Sequence, residues 1–174
     1  MKKILLFFLI LFHFSIIAQN LSLEKISTQS DSLESLEKYS EAIKLWNDNA
    51  STSPLLAKLY KAYFQYWNDY ENQSFNKLIS IENELLKIQN RNSFQSELLI
   101  KIYTQHYHHI AENDTWVNAL NKALEGYRLK DFNKGKSKTK TDYLYDLGYM
   151  YNQIGNYYEA INYYTKSLDL YRQQ

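Results

Sequence analysis

The chain contains no cysteine, a single proline and only four glycines in 174 residues. Without cysteine there can be no disulfide, no thiolate metal site, no cysteine nucleophile and no lipidated cysteine anchor. So few glycines and prolines do not suit an all-β protein, whose strands need many tight turns. Long stretches free of breakers favour helices instead. Neither sign of charge is in excess: the formal net charge is +1, so no global field favours nucleic acid or an anionic membrane. There is no glycine-rich phosphate loop, no Gly-x-Ser-x-Gly turn and no zincin motif. No enzymatic activity and no cofactor are expected.

Apolar and aromatic residues are plentiful. They make up 45% and 16% of the chain, with 17 tyrosines, enough for the core of one domain or one short repeat array. The first 18 residues stand apart. Met1-Lys2-Lys3 gives a short basic start, Ile4 to Ile17 is apolar except for His13 and Ser15, and Ala18 supplies a small residue for cleavage. A run of this length is short for a bilayer span and suits a signal peptide over residues 1–18. The alternative is an uncleaved anchor. Cleavage after Ala18 leaves 18 basic residues against 19 acidic. The expected location is exported, periplasmic or extracellular, with no membrane attachment after cleavage.

Beyond the leader, apolar residues recur at helical spacing. The pattern predicts about eight helices: 22–37, 39–49, 54–70, 74–90, 94–112, 115–130, 140–154 and 157–172. Ser53 before Pro54 reads as a helix start, Asn113-Asp114-Thr115 as a cap, and Gly155-Asn156 as the end of one helix and the start of the next. Asn156 and Glu159 have capping-box spacing. Short connections imply antiparallel neighbours.

One stretch returns within the chain. Tyr39-Ser40-Glu41-Ala42-Ile43-Lys44-Leu45-Trp46 shares Tyr, Glu, Ala, Ile and a closing aromatic with Tyr157-Tyr158-Glu159-Ala160-Ile161-Asn162-Tyr163-Tyr164. Aligning the second helix of each pair matches Ala42, Lys77, Ala119 and Ala160, at separations of 35, 42 and 41 residues. These are helix-pair repeat lengths.

Residues 141–174 resemble a tetratricopeptide repeat. Leu144 stands at the tryptophan place of that pattern, while Leu147, Gly148, Tyr151 and Ala160 match directly. Tyr164 replaces the phenylalanine, Ser167 is the second small residue, and Arg172 departs from the proline. Gly148 and Ala160 are expected to let two helices approach closely, with Tyr151, Tyr157 and Tyr164 filling the space around them. Residues 100–133 and 23–56 resemble degenerate copies, and the copy at 58–91 is weak, with Lys77 where alanine belongs. The resemblance implies an all-α fold over 19–174. About four helix-turn-helix pairs (23–56, 58–91, 100–133, 141–174) would stack into a right-handed superhelical solenoid.

The resemblance also implies a function: a scaffold that binds a protein or peptide in its concave groove. Carrying the family's groove places over gives Asp142, Tyr145, Tyr149, Asn152 and Gln153 in the last repeat. In the repeat before it they give Lys101, Thr104, His108 and Glu112. The family's clamp on a C-terminal carboxylate needs basic and amide groups where Tyr145 and Tyr149 stand, so that mode is not expected. Tyrosines and amides suit an extended peptide or protein surface, since rigid rings lose little entropy on binding.

Two other clusters have plainer readings. Gln105-His106-Tyr107-His108-His109 with Glu112 could form a His/carboxylate metal site, but its imidazoles fan around one helix and no second ligand segment joins them. No metal is assigned. The lysines between Lys130 and Lys140 read as a solvated loop between repeats rather than a phosphate-binding patch. One feature asks for a cover. Tyr164, Leu168 and Tyr171 of the last helix would face nothing, so self-association or a further segment is expected there. The second possibility makes the chain the N-terminal sensor or scaffold segment of a longer protein, such as a signalling kinase or a caspase-like peptidase.

Overall fold

A computed structural model describes residues 22–68 and 73–173, all helix, turn or coil. The expected leader, residues 1–18, lies outside the described residues. The described residues form eight α-helices: α1 (22–35), α2 (Tyr39–Asp48), α3 (Pro54–Asn68), α4 (Gln73–Leu86), α5 (Ser93–Asn113), α6 (Trp116–Arg128), α7 (Ser137–Gln153) and α8 (Tyr157–Tyr171). A short 3-10 segment, Lys130–Lys134, lies between α6 and α7. The chain divides into two compact units, Met1–Ser74 and Phe75–Gln174.

In the first unit, α1, α2 and α3 close around aromatic rings. Trp46 of α2 is buried, stacks on Tyr60 of α3 at 4.4 Å between centroids, and donates its indole N–H to Ser30 of α1 at 2.9 Å. That hydrogen bond lets a tryptophan sit in an otherwise apolar core. Tyr63 of α3 likewise donates to Glu34 of α1 at 2.7 Å.

In the second unit, α5 pairs with α6 and α7 with α8, while α7 also packs on α6 and α5. Gly148 makes the α7–α8 approach possible, because a Cβ there would lie 2.6 Å from the Tyr164 ring. Ala160 is buried beside it. Tyr151 stacks on Tyr163 at 5.4 Å. Tyr157, expected to pack, is instead exposed. In the first turn of α8 it falls on the side carrying Ile161 and Leu168, away from the buried side of Ala160, Tyr163 and Ser167.

Helix ends follow local and distant chemistry. Thr115 caps α6 by accepting from Asn118 N–H, and Gly155, with φ +79°, closes α7 in the left-handed conformation glycine tolerates. Asn156 caps α8 by accepting from Glu159 N–H, but the Glu159 carboxylate turns to Asn162, so only half of the expected box forms. The complete box is at Asn92 and Gln95, where each side chain accepts from the other's backbone N–H.

Two boundaries differ from the sequence reading because distant residues set them. α4 ends at Leu86 rather than near residue 90, since the Arg91 guanidinium donates to the carbonyls of Leu85 and Ile88. Arg91 is itself held by buried Asp131. α7 begins at Ser137 rather than 140. The buried Glu97 carboxylate of α5 accepts from Lys136 N–H and from the Thr139 hydroxyl, placing negative charge at the positive end of the helix. The lysine-rich segment is therefore not a loop throughout. Phe132 and Asp131 are buried, and Lys134 donates to the Arg91 carbonyl.

Candidate functional site

Helix α7 turns one face outward. Asp142, Tyr145, Asp146, Tyr149 and Gln153 recur at helical spacing on it, and the opposite side, Tyr143, Leu144, Leu147 and Met150, is buried. On α5, Lys101, Thr104 and His108 share the corresponding face. The two faces are joined at Asp146. Its carboxylate accepts from the buried Tyr107 hydroxyl at 2.6 Å and lies 3.2 Å from Nε2 of the exposed His108. Burial and the neighbouring Asp146 charge push the Tyr107 hydroxyl well above its ordinary pKa, so it remains a hydrogen-bond donor.

The sequence-read residues fall as follows. Asp142, Tyr145, Tyr149, Asn152, Gln153, His108 and Glu112 are exposed; Lys101 and Thr104 are half-buried. Partial burial raises the Asp142 carboxyl, Lys138 opposes the shift, and Asp146 one turn on adds to it. Tyr145 leans on Tyr164 at 5.3 Å, and Tyr149 meets Trp116 of α6 edge-on at 5.5 Å. Both rings are thus held by neighbours while keeping a free face. Thr104 donates back to the Ile100 carbonyl. Asp146 was missed in the sequence, although its spacing from Asp142 placed it on the same face.

The histidines separate. His108 faces Asp146, whereas half-buried His106 points to the other side of α5, with Nδ1 2.6 Å from the Glu82 carboxylate of α4. Phe75 stacks on His109 at 3.7 Å. Glu82 also takes an ion pair from Lys122 of α6 at 2.6 Å. Burial alone would raise the Glu82 carboxyl, but hydrogen bonds from His106 and Lys122 outweigh it and hold the group below its ordinary value. This internal cluster ties α4, α5 and α6 together. Among the described residues, no group of three or more His, Asp or Glu side chains is placed to hold a metal ion.

In the first unit, an open cleft of about 460 Å³ is lined by Ser32 and Leu33 of α1 and by Glu41, Lys44 and Asp48 of α2. Lys44 and Asp48, one turn apart on α2, already pair with each other along one wall. The α5–α7 face is the larger display of ordered aromatic and polar groups.

A comparison with curated proteins gives no match. A comparison with family models matches residues 141–174 to the tetratricopeptide repeat. That span contains the antiparallel pair α7 and α8, the close approach at Gly148 and the buried Ala160. Residues 141–174 are a tetratricopeptide repeat.

Proposed function

We propose that the protein is an exported interaction scaffold that binds an extended peptide or protein segment along the face shared by α5 and α7. One observation carries this reading. Tyr145 and Tyr149 are exposed yet buttressed by Tyr164 and Trp116, next to hydrogen-bonding groups on Asp142, Asp146, His108 and Asn152. Buttressed rings lose little rotamer freedom on binding, and the polar groups beside them can pair with an extended backbone. Association rather than catalysis is the role that tetratricopeptide repeats support. The basic start and apolar run of residues 1–18 support export. No helix among the described residues is long and apolar enough to cross a membrane.

The test is a selection of random dodecapeptides displayed on phage against immobilised residues 19–174. Enriched peptides are then synthesised and their affinities measured. Tyr149→Ala and His108→Ala should each weaken a selected peptide about tenfold, equivalent to about 1.4 kcal/mol. Enrichment no better than on a blank surface, or affinities unchanged in both variants, would contradict the reading.

A further inference from the structure

The outer side of α8 carries a largely exposed apolar stripe whose central ring, Tyr164, is seated on Gly148 and Tyr145 of α7. Tyr157, Ile161, Leu168 and Tyr171 are 65%, 66%, 46% and 65% exposed, and half-buried Tyr164 lies between them. Successive spacings of four, three, four and three residues keep all five on one side of the helix. A contiguous stripe of this kind marks a surface built for contact.

The preceding helix pair shows such a face when it is covered. Matching Ala119 to Ala160 places Trp116, Leu120, Ala123 and Tyr127 of α6 where α8 has Tyr157, Ile161, Tyr164 and Leu168. Leu120 and Ala123 are buried. Trp116 meets Tyr149 of α7, the Ala123 carbonyl accepts from Tyr143 of α7 at 2.8 Å, and Tyr127 meets Tyr163 of α8 at 5.5 Å. On α6 this face seats the next helix pair; on α8 the same face is bare.

Two features select a second copy of the chain as the occupant. The stripe reads Tyr-Ile-Tyr-Leu-Tyr, nearly the same from either end. Two α8 helices laid antiparallel about Tyr164 would set Ile161 against the partner's Leu168 and Tyr157 against the partner's Tyr171. A surface that complements itself under a two-fold rotation is what an isologous dimer requires. The second feature is charge. Tyr158, Thr165 and Asp169 border the stripe on its open side, Asp169 beside Arg172, while Glu159 and Lys166 project from the far side of the helix. An antiparallel seam would set each Asp169 near the partner's Tyr158 and not near the partner's Asp169. No like charges would be driven together.

We propose that the protein forms a two-fold dimer in which α8 packs antiparallel on α8 of a second copy. The seam is built on α8 and is tested without peptide, so its failure is distinguishable from a failure of peptide binding at the α5–α7 face, even though Tyr164 also supports Tyr145. The test is light scattering of residues 19–174 across a concentration series, combined with cysteine cross-linking in a chain that has no cysteine of its own. The wild type should reach twice the monomer mass. Leu168→Glu should raise the concentration for half-association at least tenfold with helicity unchanged. Thr165→Cys, beside the two-fold axis, should form a disulfide-linked dimer under mild oxidation. Lys166→Cys, one residue on and turned away, should not.

Cross-linking is read in the otherwise unaltered stripe, so it decides the matter even if Leu168→Glu fails to fold. A monomer at every concentration would overturn the proposal and leave the face to a different partner or a following helix. A mass that keeps growing would overturn it in favour of head-to-tail stacking. A dimer that cross-links equally at both positions would overturn the antiparallel seam.

Discussion

Ser30 and Gly148 hold matching places in the first and last helix pairs, as do Trp46 and Tyr164. Where α1 has serine, α2 answers with a larger ring that donates to it; where α7 has glycine, the Tyr164 ring lies against the bare backbone. In the pair before the last, Tyr107 takes the first-helix place and Ala123 the second, so bulk has changed sides. Each of these pairs keeps one large ring opposite a small residue while the owner of the ring changes, and cores tolerate such exchanges far better than two large residues or two small ones. This is why the repeat was legible in Gly148, Ala160 and Tyr151 yet blurred elsewhere: a single-helix pattern does not record which helix supplies the bulk. Gly126 tests the packing. A Cβ there would lie 2.3 Å from the Tyr143 hydroxyl and 2.7 Å from the Tyr103 ring, both rings being buried. Gly126→Ala should therefore cost about 2 kcal/mol by overpacking, read as a lower urea midpoint with an unchanged slope. An unmoved midpoint would show that the two rings give way freely.

At the scale of elements, the sequence located the eight described α-helices because apolar spacing and local caps are properties of short stretches. Thr115, Gly155 and Asn156 act where their neighbours in sequence placed them. The ends of α4 and α7 did not follow, because Arg91 and Glu97 act through partners brought near only by folding. The same holds for the Glu82 cluster, whose partners His106 and Lys122 lie on two other helices. Its carboxyl is held below the ordinary range when folded, so its stabilisation is complete above that range and is lost as pH falls through the lowered value. Asp131, whose burial is outweighed by hydrogen bonds from Arg91 and Lys134, behaves likewise. Stability should thus decline on acidification between about pH 5 and pH 2, and Glu82→Gln should flatten that decline. At neutral pH the same substitution should cost about 2 kcal/mol. That is below the loss for a fully buried pair, because Lys122 keeps some contact with solvent. Urea unfolding at a series of pH values reads both effects. An acid limb identical in wild type and Glu82→Gln would assign the pH dependence to other groups.

For the whole molecule, the face proposed to bind and the face proposed to pair both belong to the second unit. They use different helices: α5 and α7 for the one, α8 for the other. The exposed side of α7 was legible because the repeat pattern sets which of its residues turn outward. Asp146, which joins α7 to α5 through Tyr107 and His108, was not, because that role depends on a residue 39 positions away. The most direct measurement is an amide chemical-shift map of isotope-labelled residues 19–174 titrated with a phage-selected peptide. Saturable shifts should centre on Lys101, Thr104, His108, Asp142, Tyr145, Asp146, Tyr149 and Asn152, with the outer α8 positions Ile161, Leu168 and Tyr171 unmoved. Shifts centred on that stretch of α8, or on the first unit with the α5–α7 face silent, would contradict the account.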